Sequence, residues 1–232
     1  MRTRRLFAVV PLVAALLVPV SAVAQGGEDV EVPEDCAVPP DVDLGAYNVI
    51  IGTNRADVLQ GTKGPDFICG RLGADLIRSW GGNDLVLSDT TTFFGDVDAA
   101  GGADVVRAGA GADEVLSGPG ADTVDGGRGD DFLALAVGAD TAHGRLGSDT
   151  IIGGFDRDVI LGGADADFLA GGPANDVLIG GSGDDFLAGE LPPPPPGTEP
   201  PPLPGPARND LCIGSRGFDT GVDCDRRVNL EA

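Results

Sequence analysis

An aspartate that returns every nine residues confines this chain to a stack of near-identical short units. Asp57, Asp66, Asp75 and Asp84 form one run. Asp104, Asp113, Asp122, Asp131, Asp140, Asp149, Asp158, Asp167, Asp176 and Asp185 form a second. Two places after each of them stands an apolar residue, from Leu59 and Ile68 through Leu178 and Leu187, and Ala142 is the only one that is not a large aliphatic. Two places before, glycine dominates, as at Gly64, Gly102, Gly129 and Gly183. A disordered acidic tail has no reason to keep an aliphatic at a fixed distance from each carboxylate, so the period argues for a folded repeat.

The unit is clearest over Gly126–Ala134, Gly-Gly-Arg-Gly-Asp-Asp-Phe-Leu-Ala. Six residues suit a turn, in which glycine permits positive φ, and three suit a strand. Strand side chains alternate, so the central aliphatic faces a core and its two neighbours face out. Such a unit turns the chain halfway round. Two units close one coil, whose strands stack on those of the next coil. The expected fold is all-β, a parallel β-roll or β-solenoid with two facing parallel sheets.

The pattern G-G-x-G-x-D-x-(aliphatic)-x, complete at Gly180–Ala188, resembles the RTX family of calcium-binding nonapeptide repeats. The resemblance covers residues 52–189 and implies several Ca²⁺ ions held between turns one coil apart, by repeat aspartates and backbone carbonyls. On that implication Asp131 and Asp149 line one row and Asp140 and Asp158 the opposite one. The residues themselves agree, because short carboxylates beside inward carbonyls suit a hard cation with six to eight oxygen ligands. All 14 repeat aspartates are candidate ligands. Asp156 and Asp165, which replace the glycine two before the repeat aspartate, add a second carboxylate to their turns. Arg55 and Ala174 replace it without one, which predicts weaker sites. The lone His143 reads as an outward residue, not a ligand.

The period slips between Asp84 and Asp104, whose spacing exceeds two repeats by two positions. A degenerate unit within Ser88–Ala100, carrying a two-residue insertion and using Asp96, accounts for the spacing and predicts a bulge with a weak or missing cation site. Between Asp185 and Asp210 lies the proline-rich Leu191–Pro206, and removing that stretch leaves the two aspartates one period apart. The array is therefore expected to resume with Asp210 and Asp219, after an extended excursion that serves as a spacer. Residues 25–51 read as an irregular N-terminal cap, 190–206 as the excursion, and 207–232 as the last two units and a C-terminal cap.

Residues 1–24 have the form of an export signal: Arg2, Arg4 and Arg5, an apolar run from Leu6 to Val20, and Ala22-Val23-Ala24 at the cleavage site. The apolar run is too short to span a bilayer, so a secreted, extracellular product is expected. In that setting four cysteines imply two disulfides. Of the three connectivities, Cys36–Cys69 with Cys212–Cys224 staples both ends of the array and is preferred. Of 37 acidic residues 30 are Asp, against one Lys, which excludes a nucleic-acid surface. No nucleophile and base stand at useful spacing, so no enzyme is expected. Outward Phe67, Leu85, Phe132, Phe168 and Phe186 offer a surface for docking or self-association. The reading is a secreted calcium-binding protein that folds on meeting external calcium. The alternative is an adhesive or matrix protein that uses calcium only as scaffold.

Overall fold

The computed structural model describes residues 21–23, 29–33, 35–36, 38, 42–89, 101–189, 211–214, 220–222 and 226–229. Each nine-residue unit contributes one strand, and successive strands fall alternately in two parallel sheets. The first sheet holds β3 (Asn48–Ile51), β5 (Asp66–Cys69), β7 (Leu85–Leu87), β9 (Glu114–Leu116), β11 (Phe132–Val137), β13 (Thr150–Phe155), β15 (Phe168–Ala170), β17 (Phe186–Ala188) and β19 (Thr220–Val222), in that order. The second holds β4 (Val58–Gln60), β6 (Leu76–Arg78), β8 (Val105–Ala110), β10 (Thr123–Arg128), β12 (Thr141–Leu146), β14 (Val159–Ala164), β16 (Val177–Ser182), β18 (Leu211–Gly214) and β20 (Arg226–Asn229). This is the two-sheet parallel β-solenoid that the period predicts. Register keeps like beside like: Leu133 lies opposite Val115 and Ile151, and Ile160 opposite Ala142 and Leu178.

The aliphatic two places after each aspartate faces the space between the sheets. Ile68, Val106, Leu133, Ile151, Ile160, Leu169 and Leu178 are all fully buried there, in one continuous core. Ala142 occupies the same column with the smallest side chain in it. Because each coil touches only its neighbours, this column is the main source of cohesion along the stack.

The long step from Asp84 to Asp104 is resolved differently from the expected degenerate unit. Leu76 of β6 pairs with Val105 of β8, and Leu85 of β7 with Glu114 of β9, so both pairings reach across the interruption. Asp84 and Asp104 therefore lie at the starts of consecutive strands in opposite sheets. An extra unit between them would have put both in the same sheet. The gap is one ordinary unit split by the inserted segment 90–100, and Asp96 lies outside the described residues. Farther on, Val177 of β16 pairs with Leu211 of β18 and Phe186 of β17 with Thr220 of β19. The coil thus resumes in register after residues 190–210, which include the proline-rich stretch and Asp210 and, like Asp219, lie outside the description.

A second apolar layer covers the outer face of the first sheet. Val32, Cys36, Val38 and Leu44 pack on Phe67, Cys69, Leu85, Leu87, Leu116 and Ala134. Cys36 and Cys69 form a disulfide with their Cα atoms 5.9 Å apart, and Arg71 holds Asp35 at 2.6 Å. Asp43 caps the 3-10 turn Leu44–Ala46 through the Gly45 N–H at 3.0 Å. Phe67 and Leu85 do point away from the central core, but this layer buries them, so they offer no free surface. Ahead of it, β1 (Ser21–Val23) pairs antiparallel with β2 (Asp29–Glu31).

Truncation of Leu169 to Ala should cost about 2–5 kcal/mol, the usual range for a fully buried leucine. Denaturant unfolding in saturating calcium measures it.

Candidate metal centre

Strand alternation that turns the aliphatic inward also turns inward the residues two places before and two places after it. These are the repeat aspartate and the first glycine of the next turn. Every repeat aspartate from Asp66 to Asp185 is accordingly at most 3% exposed, which for a carboxylate demands partners. One oxygen of each finds them in a regular way. Asp149 Oδ1 accepts the backbone N–H of Asp131, one coil earlier, at 2.9 Å, and Asp167 Oδ1 that of Asp149 at 2.9 Å. The same bond joins Asp66 to Asp84, Asp84 to Asp113 and Asp113 to Asp131. A second column runs through Asp57, Asp75, Asp104, Asp122, Asp140, Asp158 and Asp176 at 2.7–2.9 Å. The predicted rows, Asp131 with Asp149 and Asp140 with Asp158, are thus adjacent in two columns, one along each sheet.

The other oxygen is left over. Oδ2 of Asp75, Asp104, Asp113, Asp131, Asp140, Asp149, Asp158 and Asp167 is buried without a hydrogen-bond partner. Burial raises these groups first, and like charge in the column raises most of them further, while the N–H of the preceding coil lowers them. Asp113 and Asp149 are pushed up to about 6, Asp104, Asp131, Asp140 and Asp167 to about 7, and Asp158 to about 8. Asp84 and Asp122, raised to about 6 and about 7, have Ser79 and Ser117 close enough to lower them in part. These serines replace the first glycine of the turn, and their hydroxyls donate to the Ala108 and Leu135 carbonyls at 2.8 Å.

The space beside the orphaned oxygens exists because that first residue is usually glycine. A Cβ on Gly153 would press on Asp158 Oδ2 and the Gly171 carbonyl, and one on Gly162 on Asp167 Oδ2 and the Gly180 carbonyl. Carboxylate and carbonyl oxygens therefore converge on one cleft in these turns. Among the described residues no three His, Cys, Asp or Glu side chains come together. A cation here would draw its other ligands from backbone carbonyls. An all-oxygen set of this kind fits Ca²⁺ and offers no nitrogen or sulfur to a softer metal.

The columns are not uniform. Asp57 Oδ2 accepts from the Thr53 N–H at 2.7 Å and hydroxyl at 2.8 Å, and Asp66 Oδ2 from the Thr62 N–H at 2.5 Å. Asn48 Nδ2 donates to Asp66 Oδ1 at 2.7 Å. These first two aspartates are largely satisfied by the protein itself. Asp156 and Asp165 are exposed, in left-handed turns with φ of 72° and 77°, and reach the buried columns only through their charge. His143 lies on β12 between Asp125 and Leu161, facing away from the core. Cys212 is disulfide-bonded and closes the aliphatic column, whereas Cys224 lies outside the described residues. Asp89 escaped the periodic reading. It is fully buried, stands outside the nine-residue period, and burial followed by the charge of Asp104 pushes it up to about 8. The signal was available in the sequence, since excising residues 90–100 joins Ser88-Asp89 to Gly101-Gly102 as one turn.

A two-sheet parallel solenoid with an acidic, glycine-cleft column along each sheet is a calcium-binding repeat architecture. The profile of the RTX calcium-binding nonapeptide repeat matches four times, at residues 51–86, 98–133, 137–169 and 161–191. That is more than half of the chain, which belongs to this family. No curated protein matches the chain.

Two outcomes test the site. Gly153→Ala should destabilise the calcium-loaded protein by about 1–3 kcal/mol, the usual cost of overpacking, read from denaturant midpoints. The raised aspartates also fix a pH dependence for the cation-free chain. They ionise near 3.8 when unfolded and at about 6–8 when folded, so ionisation opposes folding as pH climbs through that window. Far-UV circular dichroism in calcium-free buffer should show more β structure at pH 4 than at pH 8.

Proposed function

We propose that this chain is a secreted calcium-binding protein that completes its fold when it meets extracellular calcium. The observation that carries this reading is the unpaired Oδ2 of one aspartate after another down each column. Once ionised, those carboxylates repel one another in a dry setting, and calcium between successive turns removes the repulsion. Binding free energy then becomes folding free energy.

The ligands we assign are the repeat aspartates from Asp75 to Asp185, with inward carbonyls completing each shell. Asp57 and Asp66 are weaker candidates, because Thr53 and Thr62 already occupy them. Asp156 and Asp165 add field to their turns from an exposed position. Extracellular-type sites bind with dissociation constants of about 10⁻⁴–10⁻³ M, far above cytosolic calcium, so the chain stays loose before export and sets after it. The N-terminal signal supplies the route, and cleavage after Ala24 removes β1. No helix among the described residues is long and apolar enough to cross a membrane. We assign no catalytic role. The half-buried Phe168–Phe186 stack, with centroids 5.3 Å apart, is the part of the outward aromatic row that lies outside the layer formed by the described N-terminal residues.

Titration of the chain with calcium, followed by far-UV circular dichroism, should give a transition to β structure at submillimolar to millimolar calcium. Magnesium should not reproduce it, because it keeps its waters and demands a tight octahedron. A β spectrum indifferent to calcium and chelator would sink the proposal.

A further inference from the structure

Among the described residues, only the turn that joins β7 to β8 carries an acid at the second glycine position. Asp89 stands where the repeat puts its second glycine, the position of Gly109, Gly127 and Gly181 in their turns. Its Oδ2 accepts the Gly102 N–H at 3.0 Å, so one carboxylate bridges the two ends of the insertion 90–100. Its Oδ1 is buried and has no hydrogen-bond partner. Ser88, beside it, is also fully buried, and its hydroxyl is unpartnered. Ser79 and Ser117 occupy the equivalent place in their turns and donate to a carbonyl of the next coil, which Ser88 does not. This is the place from which a Cβ presses on the following repeat aspartate, as at Gly153 on Asp158, and the aspartate that follows Ser88 is Asp104. Asp104 Oδ2 is the third dry, unpartnered oxygen. A Cβ on Gly101 would meet both Asp89 Oδ2 and the Pro119 carbonyl, so the wall beside these groups is oxygen as well.

Two carboxylate oxygens and a hydroxyl that make no hydrogen bond are costly to bury unless a hard cation lies among them. We propose that Ser88, Asp89 and Asp104 form a calcium site of a second kind, built on side-chain oxygens where the repeat turns rely on backbone carbonyls. The expectation of a weak or missing site at this interruption is thereby reversed. With one more carboxylate than the repeat pattern supplies, it takes calcium more tightly than the other turns and fills first, since ligand charge sets affinity in calcium sites. The inference rests on the proposed calcium-binding function and deepens it.

Calcium bound by the full chain, counted by equilibrium dialysis over a range of free calcium, tests it. The variants are Asp89→Asn and Asp89→Gly. The second installs the residue that ordinary turns carry, so it keeps the test valid if the amide variant does not fold. Each variant should bind one ion fewer than the parent, the loss falling in the tightest class, while circular dichroism at saturating calcium keeps its β signal. If the Asp89→Gly chain folds and binds as many ions with the same first affinity, Asp89 is a neutral, hydrogen-bonding acid and the inference fails alone. If the parent chain binds no calcium, the functional proposal falls, and this site falls with it.

Discussion

The fold depends on one hydrogen bond repeated along two columns, from the backbone N–H of one aspartate to the carboxylate of the aspartate a coil later. It fixes the stagger between coils at the point where turn becomes strand, so the aliphatic two places on drops into register with its neighbours. Asparagine could accept the same bond at lower electrostatic cost. What asparagine lacks is a second anionic oxygen, and that oxygen is the part of the side chain the protein leaves unused. On the proposed function, stacking and ion binding are shared between the two oxygens of a single carboxylate.

Glycine makes this division possible at two places in the turn. Where it precedes the carboxylate it leaves a cleft, and where the backbone turns left-handed it avoids strain, as at Gly127 with φ of 113°. The exceptions cluster. Arg71, Trp80, Ala136 and Arg145 hold φ of 75–88° at the second glycine position, and Asp156 and Asp165 hold 72° and 77° at the third. Each costs on the order of 1–2 kcal/mol unless the surrounding coils over-determine it. For Arg145 part of the compensation is visible, a two-pronged contact with Asp125 at 2.7 and 3.1 Å.

Much of this was legible in the sequence because both governing periods are strict. The nine-residue spacing implies the alternation of sheets, and the residue two after each aspartate identifies the core. The interruption was not, because the step from Asp84 to Asp104 divides equally well as two units plus two positions or as one unit plus a longer insertion. Only the sheet in which Asp104 lands distinguishes them, and that is a tertiary fact. Phe67 and Leu85 were read as outward, and they are. Their burial comes from Val32, Cys36, Val38 and Leu44, whose spacing carries no period to announce a covering layer. Thr53 and Thr62 were in plain view at glycine positions. At these two turns the threonine four places before the repeat aspartate satisfies the carboxylate through its backbone N–H, with the hydroxyl adding a second bond.

The carboxylate ladder also has a direction. Each donor N–H waits for an acceptor that lies farther along the chain, never behind it. A polypeptide emerging N-terminus first thus always carries its incomplete edge at the growing end. Each new coil seals the one before it and exposes its own amides in turn. The stack is a one-way zipper. Near its starting end the outer face of one sheet can be covered early, by the layer that Cys36 pins to Cys69. Its other end stays open to addition until the strands Leu211–Gly214, Thr220–Val222 and Arg226–Asn229 arrive in register across the proline-rich interval.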